Sequence, residues 1–123
     1  MMEFRDQKHE KLYDEICSRM KNLDDYHKSL AYLLALDAVC REHISDIFDF
    51  NEDGIRPACV VASWQTGTSQ KTCRLAFNLW NGRTSDSEND SASPYYAVDE
   101  IFDCEYAPYY WQAIKLRYPQ YTE

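Results

Sequence analysis

Basic charge is scarce in this sequence. Thirteen Lys and Arg stand against 21 Asp and Glu, a formal net charge of −8. Such a chain repels phosphate at long range and lacks the positive footprint of a nucleic-acid binder, so no direct nucleic-acid binding is expected. No apolar run approaches membrane-spanning length, and Met1-Met2-Glu3-Phe4-Arg5-Asp6 holds no apolar signal core. A cytoplasmic location without membrane contact is the expectation. The five cysteines, Cys17, Cys40, Cys59, Cys73 and Cys104, never pair as C-x-x-C. Their odd number and wide scatter exclude a disulfide framework or a zinc knuckle. Each lies in an apolar context, where a free thiol acts as a small hydrophobe.

Catalytic motifs are missing as well. The three histidines, His9, His27 and His43, form no H-x-x-x-H or H-E-x-x-H pair. There is no G-x-S-x-G elbow and no G-x-x-x-x-G-K-[ST] loop. A Cys–His nucleophilic pair is open only by spatial convergence, since no spacing singles out one thiol. No catalytic residue, metal site or cofactor is predicted, and the chain reads as a non-enzyme.

Helical signals dominate what is present. A length of 123 residues fits one domain, and 45% hydrophobic with 28% charged residues is ordinary for a globular chain. Leu12, Tyr13, Ile16, Cys17 and Met20 recur at helical spacing behind Asp6, a suitable N-cap. Asp24 and Asp25 supply acids for a second helix start. The run Leu30, Ala31, Leu33, Leu34, Leu36 is apolar nearly all round, which marks a buried central helix. A bend or restart is expected near Asp37, with Val39, Cys40, Ile44, Ile47 and Phe48 continuing helically at a shifted phase. Asn51-Glu52-Asp53-Gly54 is a turn cluster. Ile55–Ala62 reads as an extended or short helical connector. A helix over about 70–81, capped by a hydroxyl of Thr66–Ser69, ends at Gly82 as a left-handed stop. Arg83–Pro94, without a large apolar residue, reads as a flexible loop. Val98, Ile101 and Phe102 suggest a short helix, and Pro108 opens the last one, stopped by Pro119. The fold class is mainly α: a single-domain bundle of about five or six helices with at most a short extended segment.

Three segments are candidate sites. Asp49–Gly54 matches the first half of a calcium loop, yet the twelfth position is Val60 instead of Glu and Pro57 lies inside. The plainer reading is an Asx-rich turn. Trp64, Gln65, Thr66, Thr68 and Ser69, with Lys71 and Arg74, place hydroxyls and cations at a helix start suited to a phosphate or nucleotide. Beside it stands the reading that Ser69 caps the helix while Lys71 and Arg74 face solvent or a carboxylate. Finally, aromatics make up 15% of the chain, with ten Tyr against five Phe. Tyr109, Tyr110 and Trp111 are consecutive, so on one helix they cannot all face a single core. At least one is expected at the surface, where Tyr and Trp anchor protein contacts.

Several segments resemble one another's counterparts in a known group of sequences: Tyr26-His27-Lys28-Ser29-Leu30-Ala31-Tyr32, Ile47-Phe48-Asp49-Phe50, Trp64–Ser69, Leu75–Asn81 and Ala113–Pro119. Together they resemble an uncharacterised family of small proteins from Gram-positive bacteria and their mobile elements. The resemblance transfers no activity and no catalytic residue. Its setting implies an anti-defence role, of the anti-CRISPR or anti-restriction kind. The leading expectation is therefore a protein-interaction protein docking on a partner with a basic surface, with the phosphate or nucleotide module as the alternative. Oligomeric state is not legible from the sequence.

Overall fold

The computed structural model describes residues 2–87 and 91–121. Seven α-helices lie among them, four of them long: α1 (Gln7–Arg19), α2 (Asp25–Leu36), α5 (Gly67–Asn81) and α7 (Ala107–Arg117). Short helices α3 (Ala38–Glu42), α4 (Ile44–Ile47) and α6 (Val98–Ile101) connect them, with 3-10 turns at Pro57–Val61, Pro94–Tyr96 and Pro119–Tyr121. The mainly α class expected from the sequence is the observed one.

Helix α2 is the axis. Every residue from Leu30 to Leu36 is fully buried, and α1, α5 and α7 all pack on it. An all-round apolar helix has no solvent face, so burial between three neighbours is its only stable position. Helix α1 turns His9, Tyr13 and Ile16 inward at intervals of four and three residues, one stripe of an amphipathic helix. Helix α7 contributes Tyr110 and Ala113 from its inner side.

Helix ends are set by named side chains. Asp6 Oδ1 accepts from the His9 amide at 2.7 Å and Asp24 Oδ1 from the His27 amide at 3.0 Å, opening α1 and α2. Asp37 is only 2% exposed, and its Oδ1 accepts from the amides of Val39 and Cys40 at 2.8 and 2.9 Å. Those bonds start a new helix and so end α2 at Leu36; the restart near Asp37 is thus an N-cap. The expected continuous helix beyond it is interrupted a second time at His43 (φ −130°, ψ 31°), and Phe48 belongs to a strand instead. Strands β1 (Phe48–Asp49) and β2 (Gly54–Ile55) pair antiparallel, Phe48 opposite Ile55 and Asp49 opposite Gly54. The connector after them resolves as the 3-10 turn at Pro57–Val61. Gly82 ends α5 at φ 79°, its amide donating to the Asn78 carbonyl at 2.7 Å, the left-handed stop its sequence position implied.

In the segment 83–94, residues 88–90 lie outside the described residues. The described part is tied to α5 by Asn78 Nδ2, which donates to the Arg83 carbonyl at 3.0 Å, and is closed on itself where the Ser93 amide donates to the Thr84 carbonyl at 2.8 Å. Among the described residues no helix is long and apolar enough to cross a membrane.

Candidate functional site

The start of α5 comes three residues earlier than the sequence pattern suggested, because Thr66, not a later hydroxyl, is the N-cap. The Ser69 amide donates to Thr66 Oγ1 at 3.1 Å and the Thr66 amide donates to Ser69 Oγ at 2.8 Å, a reciprocal capping box. Ser69 is fully buried and its hydroxyl donates to Gln65 Oε1 at 2.5 Å. Gln65 in turn donates to the Cys59 carbonyl at 3.0 Å. Trp64 lies flat against His43, ring centroids 3.9 Å apart and planes 4° from parallel. The Thr66 and Ser69 hydroxyls are therefore engaged in the cap. Thr66→Ala is expected to cost about 1–2 kcal/mol of stability, measured by urea unfolding, since it removes one half of the box; a change below about 0.3 kcal/mol would show the cap to be dispensable.

Lys71 and Arg74 do share one cleft, of about 190 Å³, with Gly67, Gln70, Tyr95 and Glu100. Trp64, Thr66, Thr68 and Ser69 are not part of its lining. Both cations are occupied. Lys71 Nζ donates to the Glu100 carbonyl. Arg74 holds Asp86 through Nε and Nη2 at 3.3 and 3.0 Å and lies over the Tyr95 ring at 5.0 Å. The cleft is also smaller than the roughly 300–1,000 Å³ typical of small-molecule pockets.

The Asp49–Gly54 segment forms the β1–β2 hairpin turn. Asp49 Oδ1 accepts from the Asn51 and Glu52 amides at 2.9 and 3.0 Å, and its Oδ2 meets Arg56 Nη2 at 3.0 Å. These bonds hold its carboxyl below the usual carboxylate range, the Glu52 amide foremost. Asp53, in the left-handed region at φ 57°, sends Oδ1 to His27. The two carboxylates thus serve the turn and the core, the Asx-turn reading of this segment. Among the described residues no group of three or more His, Cys, Asp or Glu is arranged to hold a metal ion.

The imidazoles occupy three separate settings. His9 is fully buried, with Nε2 2.9 Å from the Tyr32 carbonyl and Nδ1 accepting from the Arg5 amide at 3.0 Å. His27 lies between Asp24 Oδ1 (2.6 Å from Nδ1) and Asp53 Oδ1 (2.8 Å from Nε2). His43 bonds Asp46 Oδ2 at 2.9 Å beneath Trp64.

The aromatic triplet on α7 separates as helix geometry demands, about 100° per residue. Tyr110 is fully buried, its hydroxyl 2.7 Å from Thr72 Oγ1, so it belongs to the core and not to a contact surface. Tyr109 is half-buried, its ring edge toward His9 at 6.5 Å. Trp111 is 55% exposed and is braced by Phe102, centroids 5.1 Å apart. In the sequence on either side of Phe102, Asp99, Glu100, Asp103 and Glu105 are all exposed, and no Lys or Arg stands between Arg83 and Lys115. This charge block is legible as a run of sequence.

A family model matches residues 1–123. The chain belongs to the family of unknown function DUF6075. Comparison with curated proteins and with solved structures gives no match. Membership in DUF6075 thus brings no described activity, and the chemistry of the surface carries the functional reading.

One grouping in this DUF6075 chain escaped the sequence altogether. Cys40 on α3, Cys59 in the 3-10 turn and Cys73 on α5 converge in the core. Cys40 Sγ and Cys73 Sγ are 3.8 Å apart, and Gln65 Nε2 lies 3.5 Å from Cys73 Sγ and 4.0 Å from Cys59 Sγ. The Cys40 and Cys59 thiols, bonded to Cys73 and buried, are held above the usual thiol range. Donation from Cys40 and Cys59, and from Gln65, draws Cys73 below it against the effect of burial.

Proposed function

We propose that this protein is a non-enzymatic, cytoplasmic interaction protein that docks on a basic groove of a nucleic-acid enzyme, as an anti-defence inhibitor of the anti-CRISPR or anti-restriction kind would. The observation that carries the reading is Trp111, 55% exposed on α7 and backed by Phe102, in a stretch of chain whose exposed charges, Asp99, Glu100, Asp103 and Glu105, are all acidic. An exposed Trp with a rigid backing supplies contact area at low entropic cost. A net charge of −8 steers a partner of the other sign and rejects like-charged surfaces, DNA included. A groove evolved to hold nucleic acid offers the complementary charge.

The test compares captured nucleases and other nucleic-acid enzymes between the native chain, Trp111→Ala and Asp103→Lys/Glu105→Lys, at low and high salt. The native chain is expected to retain and inhibit a basic enzyme at low salt. Trp111→Ala should weaken that complex at least about tenfold, the range of an anchoring Trp. The charge-reversed chain should associate more slowly and lose most of the salt dependence. Equal binding by Trp111→Ala, or direct binding of the native chain to duplex DNA, would remove the basis for the proposal.

A further inference from the structure

We infer that Cys40 and Cys73 form an oxidation site, in which a small hydroperoxide such as hydrogen peroxide drives closure of an intramolecular disulfide between α3 and α5. The geometry provides the reacting pair. The two sulfurs already touch at 3.8 Å, both are fully sealed from solvent, and they sit on different elements. Bond formation requires a local approach of less than about 2 Å, toward the roughly 2.05 Å of a disulfide. Cys59 beside them is 8% exposed, and a molecule as small as peroxide reaches the sealed pair through local opening of the packing around it.

Roles follow from the hydrogen bonds. Cys73 Sγ meets Cys40 Sγ at 3.8 Å and receives the Gln65 side-chain amide N–H at 3.5 Å. Donors directed at one sulfur stabilise its thiolate, and the thiolate is the nucleophile. In the first step Cys73 sulfur attacks one peroxide oxygen. The S–O bond forms, the O–O bond breaks, and the departing hydroxide takes up the thiol proton as water. Sulfur loses two electrons and peroxide gains them, leaving a sulfenic acid on Cys73. In the second step Cys40 sulfur attacks that sulfur. The S–S bond forms, the S–O bond breaks, and the hydroxyl leaves as a second water with the Cys40 proton. The sum is two thiols and one peroxide giving one disulfide and two waters.

Cys17 and Cys104 provide the internal contrast. Both are more exposed than the buried pair. Simple accessibility therefore predicts that they oxidise first; the proposed site predicts the reverse. The folded full-length chain is treated with hydrogen peroxide, quenched with catalase, alkylated in denaturant and digested for mass spectrometry. The expected product is a dithiothreitol-sensitive link between the Cys40 and Cys73 peptides, two hydrogens lighter than their sum. The same link should form in the chain carrying Cys17→Ser and Cys104→Ser. Recovery of Cys40 and Cys73 as free alkylated thiols while Cys17 or Cys104 is oxidised overturns the inference. So does over-oxidation of Cys73 with Cys40 untouched.

Discussion

Replacing His27 with Ala is expected to destabilise the protein by about 2–4 kcal/mol, read from denaturant midpoints at constant slope. The ring is 1% exposed and joins the first turn of α2 to the β1–β2 hairpin. Its Nδ1 lies 2.6 Å from Asp24 Oδ1 and its Nε2 lies 2.8 Å from Asp53 Oδ1. Without the ring, Asp24 and Asp53 would face a cavity carrying like charge. Their side chains are 43% and 26% exposed, so solvent screens part of that cost, and the expected value lies below that of a sealed ion pair. The lost packing adds to it, because Tyr26 and Trp80 contact the ring at centroid distances of 4.9 and 4.7 Å. Asp53→Asn tolerates the left-handed backbone at φ 57° and keeps an oxygen acceptor but loses the charge. A double-mutant cycle of His27→Ala with Asp53→Asn should return a coupling of about 1 kcal/mol or more. A His27→Ala chain within about 0.5 kcal/mol of the native one would mean that the bridge contributes nothing net.

What the sequence disclosed and what it concealed divide along contact distance in the chain. Asp6, Asp24 and Gly82 act on residues within four positions, so their types and spacing identified helix ends directly. Asp37 was legible as an interruption, but its role as a cap depended on its side chain turning inward, which no local pattern dictates. At α5 the run Thr66-Gly67-Thr68-Ser69 offered three hydroxyls, each competent to cap, and the choice of Thr66 moved the helix start. The α7 triplet gave a correct geometric expectation, that not all three rings share one face. Which of them emerges depends on Phe102, Thr72 and His9, which come from other elements.

Long-range partnerships were hidden for a different reason. His27 and Asp53 are 26 positions apart, and Cys40 and Cys73 are 33 apart. Each residue had an adequate local explanation, a helix start, a turn or an apolar lining. The packing of α2 against α5, and of α3 beside both, brings the thiols together. The residues of the anion reading at the α5 start divide for the same cause, Lys71 and Arg74 lining a cleft that Trp64, Thr66, Thr68 and Ser69 do not. Lys71 and Arg74 found partners in Glu100 and Asp86, supplied by the segment after Gly82.

The second large effect is expected in acid. Between pH 6.5 and about 4 the native chain should lose about 2–3 kcal/mol of stability that a His9→Gln chain does not lose. Burial is the first cause, pushing the His9 ring down from 6.5 to about 4; its bond to the Tyr32 carbonyl opposes the shift and the Arg41 charge adds to it. The folded ring thus takes up its proton at lower pH than the unfolded one. Across that window the unfolded chain binds more protons, so stability is complete above pH 6.5, falls as pH drops and stops falling from this residue below about 4. Asp6 and Asp24, whose carboxyls are held below 3.8, lose their contributions mostly beneath the window and in both chains, so the comparison with His9→Gln isolates the ring. Charging His9 also places a donor at Nδ1 opposite the Arg5 amide, 3.0 Å away. The N-terminal segment should therefore loosen first. Phe4 packs on the His9 ring at 5.1 Å, and the Glu3 carbonyl accepts from the Tyr32 hydroxyl at 2.6 Å. Amide exchange of residues 3–9 near pH 5 should accelerate in the native chain and not in His9→Gln. Parallel stability profiles for the two chains from pH 7 to 4 would show that the buried ring is not what acid attacks.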